Sequence, residues 1–63
     1  MDYDLEIIKN ALKDFDEIQE FMMIAREENA SMTYARLKKK YRYLKALLQT
    51  AGVNLTDIDE IKE

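Results

Sequence analysis

Sixty-three residues allow one domain at most, and 37% of them are charged, for a net charge of −3. There is no Cys and no His, which excludes disulfides and the ordinary soft metal sites, and removes the commonest general base and the strongest nucleophile. A domain this small buries only about 60% of its unfolded surface, so its 48% hydrophobic residues need help from self-association or from close helix packing.

The first predicted element is a long helix over about residues 2–29. No Pro or Gly precedes position 52, so nothing interrupts the chain before the loop signal Asn29-Ala30-Ser31. Asp2 or Asp4 can cap the start, where acids also suit the helix dipole. Ile8, Ala11, Phe15, Ile18, Met22 and Ala25 step by three and four, which puts all six on one helical face. Leu5 and Leu12 widen that stripe on one side, Ile7 and Phe21 on the other. A stripe this broad suits a helix with two or more neighbours. Met23 and Ile24 lie off it. Leu5, Leu12, Phe21, Met22, Met23 and Ile24 are therefore the candidate self-association face. Asn29 is the candidate C-terminal cap, and the short turn after it predicts an antiparallel partner.

The second helix is predicted over about 32–51, with Ser31 as N-cap. Gly52 suits the left-handed residue that ends a helix, and Val53 the apolar contact that follows. Its stripe is Tyr34, Leu37, Tyr41, Leu44, Leu48 and Ala51, widened by Leu47. The consecutive Lys38, Lys39 and Lys40 rule out strand alternation. Tyr34 and Tyr41 belong to the core with their hydroxyls at its edge, and Tyr3 and Tyr43 to the surface. A short third helix is predicted over about 57–62, with Thr56 as N-cap and Ile58 and Ile61 on one face. The fold class is all-α: an antiparallel two-helix hairpin with a short C-terminal helix, associating as a dimeric bundle.

Charge is segregated along the chain. Residues 2–29 hold nine acids and three bases, residues 31–51 six bases and no acid, and the remainder four acids and Lys62. On a heptad wheel Lys38, Lys40 and Lys45 flank the seam of the second helix, while Arg36, Lys39 and Arg42 point outward around Tyr43. On the first helix Asp14 and Glu28 flank the seam, and Asp16, Glu17, Glu20 and Glu27 point outward. Two hairpins can then pair with the acidic helix of one beside the basic helix of the other. Arg36, Lys39, Lys40, Arg42, Tyr43 and Lys45 form a candidate face for a polyanion or a partner.

In length and hairpin layout alone the chain resembles the small plasmid copy-number regulators built as dimers of helical hairpins. No residue motif is shared, and no functional residue carries over. Asp57-x-Asp59-Glu60 lacks the glycine and spacing of a calcium loop, and a single Gly excludes a glycine-rich phosphate loop. The expectation is a non-catalytic protein–protein interaction or regulatory module, a homodimer without cofactor, metal or small-molecule substrate. The alternative is a small nucleic-acid-binding accessory protein that uses the outer face of the second helix. The longest apolar run, Phe21 to Ala25, is too short to span a bilayer, and the acidic start MDYDLE does not fit a targeting peptide. The expected setting is therefore cytoplasmic, with no membrane partner.

Overall fold

A computed structural model describes residues 4–63. The predictions that fall on Asp2 and Tyr3 lie outside that range. Two antiparallel helices, α1 (Leu5–Glu27) and α2 (Ser31–Thr50), form a hairpin. Residues 51–63 then turn back along one of its faces. Asp4 caps α1, its carboxylate accepting from the Glu6 N–H at 2.9 Å.

The two helices end in the same way. At the end of α1, Asn29 is left-handed (φ 57°), the Ala30 N–H reaches the Ala25 carbonyl at 2.8 Å, and the Asn29 N–H reaches that of Arg26 at 3.1 Å. At the end of α2, Gly52 is left-handed (φ 86°), Val53 N–H bonds to Leu48 C=O at 2.9 Å, and Gly52 N–H to Gln49 C=O at 3.0 Å. Both are Schellman closures, which satisfy carbonyls that a helix end otherwise leaves orphaned. Val53 packs against the core cluster, as that motif favours.

Ser31 is not the N-cap of α2. Ala30 holds that position and supplies no side-chain bond. Because Asn29 completes the reversal, Ala30 closes α1 through its N–H while its carbonyl accepts from Tyr34 N–H at 2.9 Å. The helix thus begins one residue before the hydroxyl could cap it.

The core is built from the two stripes. Ala11, Phe15, Ile18 and Met22 meet Tyr41, Leu44 and Leu48, joined by Leu55 and Ile61 from the return segment. Phe15 and Tyr41 stack with ring centroids 5.4 Å apart and planes 14° apart. Burying each large side chain contributes about 1.5–3 kcal/mol.

The third helix does not form. Residues 57–62 are turns, bends and irregular chain, because side chains of the hairpin and of the segment itself take the backbone donors that a helix would use internally. Gln19 Oε1 accepts from the N–H groups of Glu60 (2.6 Å) and Ile61 (3.0 Å). Asp59 Oδ1 accepts from Lys62 N–H at 2.9 Å, and the Tyr41 hydroxyl from Glu63 N–H at 3.1 Å. Lys62 is left-handed (φ 57°). Thr56 is not a cap either: its own N–H donates to Asn54 Oδ1 at 2.9 Å, which sets up a single turn whose Leu55 carbonyl accepts from Ile58 and Asp59. Ile58 and Ile61 part company, Ile61 buried and Ile58 37% exposed. A helix of six residues has little intrinsic stability to set against these bonds.

Candidate interaction surfaces

The hairpin has two long faces, and the return segment covers one of them. At the centre of the covered face is Gln19, fully buried on α1 with 0% exposure. Its amide donates to the Ile58 carbonyl at 2.9 Å while its carbonyl oxygen accepts the two N–H groups named above. Every polar atom of this buried side chain that points at the segment is thus used, which removes the penalty of burying it.

Beside it, the Tyr41 hydroxyl donates to Asp59 Oδ1 at 2.6 Å, and Lys45 Nζ lies 2.9 Å from Asp59 Oδ2 and 5.5 Å from the centre of the Tyr41 ring. Lys45 also donates to the backbone oxygen of Glu63 at 2.9 Å. Burial raises the Tyr41 hydroxyl's pKa, and its bond to Asp59 raises it further. Burial pushes Asp59 upward, but the bonds from Tyr41, Lys45 and the Lys62 N–H together outweigh it and hold the carboxyl below its ordinary value. The hydrogen bond to Asp59 raises Lys45. At the outer end Glu63 accepts from Tyr34 and from Lys38 (2.9 Å), which lowers its pKa. Arg26 donates to the Tyr34 hydroxyl at 2.8 Å and sits 5.4 Å from that ring's centre.

This clasp divides the candidate basic face. Lys45 is half-buried and engaged with Asp59, as Lys38 is with Glu63. Those are the only ion pairs among the described residues. Arg36, Lys39, Lys40, Arg42 and Tyr43 are all exposed, and the four cations among them have no carboxylate partner among the described residues.

The second face of the hairpin has no return segment over it. There a groove of about 310 Å³ is lined by Phe21, Ile24, Ala25 and Glu28 of the α1 end and by Ala30, Thr33 and Leu37 opposite. Phe21 is 55% exposed, Ile24 50% and Ile7 47%, while Leu37 and Leu47 are half-buried against the core. The structure disperses the candidate self-association set. Met22 is fully buried in the hairpin's own core, Leu12 and Met23 are partly buried against it, and Leu5 lies exposed at the far end of α1. Only Phe21 and Ile24 share the uncovered groove.

The sequence pattern does not single out Gln19, Asp59 or Glu63 as a clasp. Gln19 carries the one usable signal: a polar residue four positions after Phe15 and three before Met22 falls inside the apolar arc. Asp59 and Glu63 carry none, since their partners are set by where the return segment crosses the helices. The chain matches no protein family, no curated protein and no solved structure. No helix among the described residues is long and apolar enough to cross a membrane.

Proposed function

We propose that the chain is a non-catalytic protein–protein interaction module, a helical hairpin that self-associates through its uncovered face. The observation that carries this is the asymmetry of the hairpin: one face is closed by the chain itself, and the other leaves Phe21 and Ile24 about half exposed in one groove with Leu37. Exposed apolar side chains that adjoin one another mark interaction sites, whereas isolated ones do not. Charge supports a second copy as the occupant. On the helical wheel Asp14 and Glu28 flank the α1 side of this face, and Lys40 flanks the α2 side. A two-fold axis that lays α1 of one copy across α2 of the other pairs these opposite signs, and a self-complementary contact of this kind closes at two copies. The product is an antiparallel four-helix bundle. The reading includes no chemistry, cofactor or small-molecule substrate, and it places the chain in the cytoplasm, a setting that suits a protein without cysteine.

Light scattering across roughly 1–100 µM, a range usual for weak dimers, tests the reading. The expected mass is twice 7.5 kDa. Phe21→Lys with Ile24→Lys should return it to the single-chain value while the circular dichroism of the helices is kept. A wild-type mass that stays at 7.5 kDa throughout would reject self-association.

A further inference from the structure

We propose that the outward face of α2 binds the phosphate backbone of duplex nucleic acid without reading its bases. The ground for this is how the return segment sorts the cations. Of six bases on a helix that carries no acid, it neutralises Lys38 and Lys45 and leaves Arg36, Lys39, Lys40 and Arg42 exposed and, among the described residues, unpaired. At 100° per residue, Met32, Arg36, Lys39 and Tyr43 form one ridge, with Lys40 and Arg42 on its two flanks. Arg36/Lys40 are like charges one turn apart, and Arg36/Lys39 and Lys39/Arg42 nearly so, arrangements that are unfavourable until an anion lies over them.

The composition of the ridge favours phosphate over a protein partner. Arginine and tyrosine suit either partner, but lysine is depleted from protein–protein interfaces, whose cores are poor in charge. This ridge offers four cations and a 65%-exposed tyrosine. Such groups make most of the contacts to nucleic-acid backbone oxygens, and nucleic-acid interfaces are strongly basic. The acidic back of α1 does not prevent approach. Two helices about 8–10 Å apart, each about 10–12 Å thick, put the two backs about 20 Å from each other, more than twice the ~8 Å screening length at physiological salt. The dimer proposed above covers Lys40 on one flank and leaves Arg36, Lys39, Arg42 and Tyr43 open.

The test is fluorescence anisotropy of a labelled duplex of about twenty base pairs with the full chain, titrated at about 50 and 200 mM salt. Three phosphate contacts, from Arg36, Lys39 and Arg42, predict affinity about 40-fold weaker at the higher salt, with little difference between unrelated duplex sequences. Lys39→Glu with Arg42→Glu should abolish binding. Lys9→Glu with Lys13→Glu, the same charge change on the opposite helix, should leave the 200 mM affinity within about twofold, because about 20 Å is then about three screening lengths. If the first variant loses helicity, Lys39→Gln with Arg42→Gln replaces it and should flatten the log–log salt slope by about 1.8. The proposal is overturned by no binding at 50 mM salt, by a salt slope near zero, by equal losses in the two charge-reversal variants, or by labelled poly-glutamate binding as tightly as the duplex. The last result would mark an acidic-polypeptide site instead.

Discussion

The two faces of the hairpin are finished by different chemistry. Over the covered face the return segment buries Leu55 and Ile61, but its path is set by polar side chains, with Gln19, Tyr41 and Asp59 between them taking four consecutive backbone N–H groups. The uncovered face centres on apolar surface, graded from buried Ile18 and Leu44 through half-buried Leu37 to exposed Phe21, with Thr33 and Glu28 at its edge. Hydrogen bonds are directional and specify one partner segment in one register. Apolar contact is non-directional, and this second face is the one that the proposed second copy would cover. One hairpin can therefore carry an intramolecular contact and an intermolecular one without confusing them.

The largest effect should come from a residue that supports both faces. Leu48 is fully buried beneath them, and Leu48→Ala should cost about 2–5 kcal/mol. In a chain this short that is most or all of the stability, and chemical denaturation should show little cooperative transition.

Gln19→Leu separates the faces. It keeps apolar bulk but leaves the Glu60 and Ile61 N–H groups and the Ile58 carbonyl without partners, at a cost of about 1–3 kcal/mol. The segment should lift off rather than stay buried and unpaired. Amide exchange at residues 60–63 should rise toward unprotected rates while the middle of α1 and α2 stays protected. Uniform loss of protection would show that the two faces do not behave independently.

Within the single chain, acid should act on the covered face. Asp59 has a lowered folded-state pKa, below its unfolded value near 4, so it binds protons more readily when unfolded. Its contribution is complete above about pH 4 and is lost as the pH falls through the lowered folded value. Glu63 shifts in the same direction, but it is exposed and adds little. Lys45 and Tyr41 are raised, so the same clasp weakens again as the pH rises through about 10 and beyond. Tyrosine fluorescence and proton chemical shifts of the Tyr41 ring should report both limits. The substitution Asp59→Asn removes the titrating carboxyl and should flatten the acid limb.

The smallest effect on folding should come from Phe21→Ser, which removes a side chain already 55% exposed and should shift single-chain stability by less than about 0.5 kcal/mol. It should nevertheless weaken self-association by about tenfold or more, as loss of an aromatic anchor does. A large loss of stability with unchanged association would reverse the roles assigned to the two faces.

Sequence alone determined the two rods and how they join. Period-3.6 stripes ending at Asn29 and Gly52 determine two amphipathic helices and the turns that stop them, because helical spacing and left-handed backbone are local properties of residue type. The same locality placed Phe15, Ile18, Tyr41 and Leu48 in the core and Tyr43 outside it. Tertiary structure decided the course of residues 51–63. Thr56 and the acids after it satisfy every local rule for a helix start, yet Gln19 and Tyr41, roughly forty and twenty residues away in the chain, compete for the same backbone donors and win them. It also decided which cations stay free: Lys38, Lys40 and Lys45 all flank the seam on the heptad wheel, and only the crossing of the return segment gives Lys38 and Lys45 their carboxylates. Bonds between residues distant in sequence depend on how the elements pack, so they leave no periodic trace from which to read them in advance.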